Sequence, residues 1–180
     1  MKSTIKVFAV LLLAVMPVIA SAQDKKILKQ TIDITEIEHE DGTEVSVFYM
    51  PDFDQYYLEV GNMGVGGEIV QINFDPIFVL FIPLGSTIEE AQAKLEQFKE
   101  HAKGPRGARM ETLGVLAFGY PNEEELEPVT VTARRLLITR QLEFSVTRGE
   151  WIRAAYMDRA DIVSLLNGVK LHRKLHPNTK

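Results

Sequence analysis

The chain has 180 residues, with 25 acidic and 20 basic side chains, four His and no Cys. Hydrophobic residues make up 46% and charged residues 25%, which excludes a disordered or collagen-like chain and fits one globular domain. The lack of Cys removes thiolate zinc sites, iron–sulfur clusters, redox CxxC pairs and Cys nucleophiles together.

In chain order, the first segment reads as a secretory signal. Lys2 and Lys6 precede an apolar run from Val7 to Ala20, and Ala20-Ser21-Ala22 sets small residues where signal peptidase requires them. The run is shorter than the ~20 apolar residues that span a bilayer, and no later segment is longer. The expected organisation is a signal peptide over residues 1–22, cleaved after Ala22, and a single domain over residues 23–180. An exported chain without Cys fits the periplasm or the medium of a bacterium, so the protein is expected to be secreted or periplasmic.

Residues 27–82 read mostly as strands. Leu28, Ile32 and Ile34 alternate with polar residues, and Asp41-Gly42 supplies a hairpin turn. Val45, Val47 and Tyr49 share a face, Pro51 to Gln55 is a turn, and Tyr56 to Val60 forms the next strand. Gly61 to Gly67 reads as a loop, Glu68 to Phe74 as a strand, and the wholly apolar Ile77–Ile82 as a central strand covered on both sides. Ser86 and Glu89 suggest a capping box for a helix over Thr87–Lys103, with Ile88, Ala91, Leu95, Phe98 and Ala102 on one face. Gly104-Pro105 stops it.

Four more strands are expected, at Glu111–Tyr120, Val129–Ile138, Gln141–Thr147 and Glu150–Met157, with an acidic loop from Pro121 to Pro128. Asp158 or Asp161 then caps a helix carrying Ile162, Leu165, Leu166 and Val169, which ends before Pro177. The expected fold class is α+β: a largely antiparallel, curved sheet of about seven to eight strands with two amphipathic helices packed on one face.

Charge is uneven. Residues 23–127 hold 21 Asp/Glu against 8 Lys/Arg, whereas residues 128–180 hold 4 against 10. The basic residues are scattered through strands, so no nucleic-acid partner is expected, and the two halves should partly neutralise each other.

Candidate chemistry is sparse. His172 and His176 have the four-residue helical spacing of a metal pair but lack a third ligand nearby, so no metal and no cofactor is expected. Gly61 to Gly67 precedes a strand, not a helix, and is no phosphate loop. None of Ser46, Ser86, Ser145 and Ser164 stands in a nucleophile elbow. Asp52, Asp54, Gln55, Tyr56 and Tyr57 form the loop best suited to a ligand, since ring faces beside carboxylates suit a glycan. Glu127-Pro128-Val129-Thr130-Val131-Thr132-Ala133-Arg134 resembles the short TonB box of TonB-dependent outer-membrane receptors. It lies far from the N-terminus with no chain left for a barrel, and alternation of a strand explains the same letters.

The reading that follows is an exported binding or accessory protein without catalytic activity, acting on an unknown small molecule, glycan or protein. The alternatives are a small hydrolase, or an interaction or inhibitor module using the acidic face of residues 33–59. The signal reading has a direct test. N-terminal sequencing of exported protein is expected to begin at Gln23, and an intact Met1 on membrane-bound material would contradict it.

Overall fold

The computed structural model describes residues 30–40, 44–62, 64–65, 79–117, 121 and 126–177. In chain order the elements are β1 (Ile32–Glu38), β2 (Glu44–Met50), a short 3-10 turn (Pro51–Phe53), β3 (Gln55–Asn62), β4 (Gly64–Val65) and β5 (Val79–Gly85). Then come α1 (Ile88–His101), β6 (Arg109–Ala117), β7 (Leu126–Leu136), β8 (Thr139–Arg148), β9 (Trp151–Asp158) and α2 (Arg159–Leu175).

The strands form one antiparallel sheet in the order β1-β2-β3-β5-β6-β7-β8-β9-β4. Only Met63 separates β3 from β4, yet five strands lie between them in the sheet. One residue cannot span a flat row at ~4.8 Å per strand, so the sheet curves.

Both helices press onto one face of the sheet. Their buried stripes are Ile88, Ala91, Leu95 and Phe98 on α1 and Ile162, Leu165, Leu166 and Val169 on α2. They join Val45, Val47, Tyr56, Leu58, Leu80, Ile82, Val129, Val131, Leu142 and Phe144 in the main core. Phe98 meets Phe144 edge to face at 5.6 Å. The α+β architecture and the helix faces thus match the sequence pattern. Charge pairs link the helices in opposite chain sense: Glu96 with Lys170 at 2.8 Å, and Glu89 with Arg173 at 2.8 Å. The helices therefore run antiparallel. Gly168 lets α2 approach β1 closely, since a Cβ there would sit 2.2 Å from Thr35 Oγ1. That close approach accounts for a glycine inside a helix, where it costs about 1 kcal/mol relative to Ala.

Several boundaries differ from expectation. The cap of α1 is Thr87, whose Oγ1 accepts from Glu90 N–H at 3.2 Å, while Glu90 Oε2 accepts from Thr87 N–H at 3.2 Å and Ser86 N–H at 2.7 Å. The box is therefore one residue later than Ser86–Glu89, because Glu90 reaches back over both preceding amides. Gly61 and Asn62 extend β3, and Gly64–Val65 pairs with β9 at Arg153 and Ala154, so part of the expected glycine loop is strand. β7 starts at Leu126, inside the expected acidic loop, because Leu126–Pro128 pairs with Leu113–Val115. The strand expected over Val129–Ile138 ends at Leu136, and the chain turns at Leu137-Ile138. The Asp41-Gly42 turn and the strand expected at Glu68–Phe74 lie outside the described residues. Among the described residues no helix is long and apolar enough to cross a membrane.

Phe98 is fully buried between α1 and β8. Phe98→Ala is expected to lower the unfolding free energy by about 3–5 kcal/mol, measured by denaturant titration. A loss below about 1 kcal/mol would show that the α1 face is not part of the core.

Candidate functional site

The register of β1, β2 and β3 decides which of their side chains leave the core. Val45 and Val47 on β2 and Tyr56, Leu58 and Val60 on β3 face the helices. By alternation, the neighbours at 44, 46, 48, 57 and 59 face the other way. Across the ladder, Glu36 stands opposite Ser46, and Ser46 opposite Glu59; Glu38 stands opposite Glu44. A row of carboxylates therefore crosses three strands. It rims a cleft of about 120 Å³ lined by Thr31, Asp33, Glu36, Glu44, Ser46, Phe48, Glu59 and Phe81.

Carboxylates crowd this cleft. Burial, then the charges of Glu36, Glu38 and Asp33, push the Glu44 carboxyl above its ordinary range. Glu59 is pushed up by burial first and by Glu44 next, against the Ser46 hydroxyl, which donates to Glu59 Oε2 at 3.2 Å. Among the described residues no Lys or Arg forms an ion pair with Asp33, Glu36, Glu38, Glu44 or Glu59. Elsewhere the acidic and basic halves do neutralise each other: Glu96 with Lys170, Glu89 with Arg173, and Glu127 with Arg148 at 2.7 Å. The acidic strip stands out because that compensation does not reach it.

A buried apolar cluster continues the same face of the sheet. Phe48, Met50, Tyr57, Phe81, Val115 and Ala117 form a second cluster, with Phe48 stacked on Tyr57 at 5.8 Å. A wider, open groove of about 530 Å³ lies between α1 and the β5–β7 strands, lined by Pro83, Lys94, Glu111, Thr112, Leu113, Leu126 and Pro128. Its walls offer one carboxylate and one ammonium, with no convergence of polar groups on a point.

The loop favoured by the sequence is a hairpin tip. Asp54 takes a left-handed conformation with φ 49°, which closes the turn from β2 into β3 and suits an Asx residue. Its Oδ1 accepts from the Tyr49 hydroxyl, and that bond, ahead of burial, lifts the Tyr49 phenol to about 12. Asp52 is exposed, and Gln55 is half-buried with Nε2 donating to the carbonyl of Tyr56 at 3.3 Å. Tyr56 and Tyr57 are 1% and 0% exposed and lie on opposite faces of the sheet. Their rings are core, so neither presents a face for stacking on a sugar; the polar part of the loop is Asp52, Asp54 and Gln55.

His172 and His176 do come together, with ring centroids 4.6 Å apart on the last turns of α2. Burial, then the charge of His176, holds His172 below its usual value. Among the described residues no group of three His, Asp or Glu could hold a metal ion. The other imidazoles serve the fold: His101 Nε2 contacts the Val131 carbonyl at 3.1 Å, and His39 lies 3.6 Å from Asp161 at the start of α2. The TonB-box-like segment is a strand paired on both sides, by β6 and β8. Glu59 was not singled out by the sequence, although its position two residues from Tyr57 on the alternating strand would have put it on the same outward face.

Comparison with family models, curated proteins and solved structures finds no match to this chain.

The carboxyl shifts have a stability consequence. A carboxyl raised above its unfolded value lets the native state hold more protons, so stability falls as pH rises from the ordinary 4.5 through the raised folded-state values. Glu59→Gln removes one charge and keeps an acceptor for Ser46. It is expected to stabilise the protein at about pH 7 by about 0.2–1 kcal/mol, the scale of a cross-strand contact. The gain should vanish below about pH 4, where wild type is protonated as well. Destabilisation at both pH values would show that Glu59 is held favourably as an anion.

Proposed function

We propose that the protein is an exported, non-catalytic binding protein whose acidic face on β1, β2 and β3 captures a cationic partner. One observation carries this reading: Glu44 and Glu59 are held at raised pKa among Asp33, Glu36 and Glu38 around one cleft, with no basic partner among the described residues. An ammonium or guanidinium group entering the cleft offsets the repulsion among these carboxylates, so the relief of that repulsion contributes to binding. The adjoining Phe48 and Phe81 rings supply apolar contact for the stem of a Lys or Arg side chain. The class of partner is therefore a basic peptide segment or a polyamine. Export is supported by the N-terminal pattern of Lys2, Lys6 and the run from Val7 to Ala20, with cleavage after Ala22.

A hydrolase is less well supported. The Ser46 hydroxyl donates to Glu59 at 3.2 Å, but among the described residues neither His101, which contacts Val131, nor His39, which lies by Asp161, joins them in a Ser–His–carboxylate array.

Isothermal titration with a hexalysine peptide at low salt tests the reading. Binding is expected, weakening steeply as salt is added. The Glu44→Gln/Glu59→Gln variant is expected to bind at least about tenfold more weakly, equivalent to ~1.4 kcal/mol. Absence of binding by the wild-type protein at low salt, or equal binding by the variant, would contradict the proposal.

A further inference from the structure

The hairpin joining β7 and β8 departs from two local rules at its tip. The first concerns the turn. The ladder runs Ala133↔Leu142, Arg134↔Gln141, Arg135↔Arg140 and Leu136↔Thr139, leaving Leu137-Ile138 as a two-residue loop. Such loops favour positive φ and are served by Asn-Gly or Asp-Gly. Asp54 is the only described non-glycine residue with positive φ, so Leu137 and Ile138 adopt neither primed turn conformation. A leucine and a β-branched isoleucine contribute nothing to turn formation here. They are also in water: Leu137 is 100% exposed, Ile138 97% and Leu136 55%.

The second departure is electrostatic. Arg135 stands directly opposite Arg140, a like-charge cross-strand pair that disfavours the hairpin. More basic charge gathers at the same end. Gly107 N–H donates to Ala133 O and Ala133 N–H to Ala108 O, both at 2.8 Å, and Arg140 Nη1 donates to Lys103 O at 3.1 Å. These bonds fasten the Lys103–Ala108 turn to the base of the hairpin and bring Arg106 and Arg109 beside it. The carboxylates at this end are already engaged: Glu143 by Arg134 at 2.8 and 2.9 Å, and Glu100 by Lys103 at 2.7 Å. Among the described residues Arg106, Arg109 and Arg135 form no ion pair with a carboxylate.

Burial on β7 and β8 ends at Ala133 and Leu142, and residues 134–140 are all exposed. At ~3.3 Å per residue the tip stands roughly 13 Å beyond the core. The result is a narrow projecting point of three aliphatic side chains with an arginine collar behind it. A protein groove would have to be matched in shape to such a point, whereas a bilayer offers an anionic layer over a deformable apolar one in the same order.

We propose that this hairpin docks the protein on an anionic lipid bilayer. Leu136, Leu137 and Ile138 enter the boundary between headgroups and acyl chains, within the ~5–10 Å depth typical of interfacial elements. Arg135 and Arg140 meet lipid phosphates from the next position back, which removes their mutual repulsion, and Arg106 and Arg109 add attraction from the base. The same anionic surface repels the carboxylates of the β1–β3 face, which sets the orientation of the docked protein and leaves that face to solvent. Local rules broken twice at one exposed point, with a single surface that relieves both, are what distinguish this hairpin from a merely apolar turn.

Co-sedimentation of the full chain with phosphatidylglycerol/phosphatidylcholine vesicles, against phosphatidylcholine alone, tests the proposal. Wild type is expected to partition onto the anionic vesicles. Leu137→Asn/Ile138→Gly introduces the favoured turn sequence and so keeps the hairpin, which thermal unfolding verifies; its partitioning is expected to drop at least about tenfold. Arg135→Gln/Arg140→Gln is expected to lose most of the preference for anionic over zwitterionic vesicles. Two outcomes would overturn the proposal. One is no vesicle binding by wild type, including the case where the tip instead drives self-association. The other is equal binding by wild type and Leu137→Asn/Ile138→Gly, which would show that the aliphatic tip does not enter the bilayer.

Discussion

The packing of the antiparallel α1–α2 pair onto one face of the sheet fixes which side of each strand it covers faces the helices. Phe98 against Phe144, and the stripe of Leu165, Leu166 and Val169 beside them, claim the inward positions of β2, β3, β5, β7 and β8. A strand whose alternate residues are held in that core has no freedom of register, because a one-residue slip would bury its polar set. On β2 and β3 this sends Ser46 and Glu59 outward together, and β1 adds Glu36 opposite Ser46. The acidic strip is thus a consequence of core packing on the far side of the same strands. Apart from the Ser46–Glu59 hydrogen bond, no local attraction assembles it among the described residues, and its carboxylates repel one another.

Charge across the molecule follows two different rules. Where α1 meets α2, and where β7 meets β8, acidic and basic groups are matched, with Glu96 drawn down to about 2 by bonds from Lys170 and Lys99. Such exposed pairs add little stability, but they leave no field behind them. Among the described residues the matching stops on β1–β3 and at the β7–β8 tip, and each site holds an excess of one sign. The acidic strip has a cleft and raised carboxyls, and the tip has exposed aliphatic side chains with paired arginines. Among the described residues the Lys and Arg ion pairs between the two halves gather at α1–α2 and along β7–β8, while the β1–β3 strip and the β7–β8 tip keep an excess of one sign each.

Much of this was legible in the sequence, and the failures have physical causes. α1 could be read from Ile88, Ala91, Leu95 and Phe98, since helical period depends on neighbours within one turn. The all-apolar stretch ending at Ile82 correctly indicated a central strand, with Leu80 and Ile82 on one face and Phe81 on the other. The acidic cleft was visible only as a loose excess over residues 33–59, because its geometry is set by pairing between strands, and pairing partners are not neighbours in sequence. Tyr56 and Tyr57 beside a turn suggested a ring surface, but consecutive residues of a strand face opposite sides, and here both sides are covered. The run Leu136-Leu137-Ile138 read as the end of a strand because its composition carries no turn signal. That mismatch between composition and conformation is what marks the tip.

The state of the Glu44 and Glu59 carboxyls tests the central claim most directly. Carboxyl-detected carbon NMR titration of the free protein should show both groups titrating above 4.5, with each curve broadened by coupling to its neighbours. Addition of a lysine-rich peptide should move both midpoints downward, while Glu96, already paired, stays where it is. Midpoints at or below 4.5 in the free protein, or no movement on adding the peptide, would mean that the β1–β3 face is an ordinary solvated surface and would contradict the account.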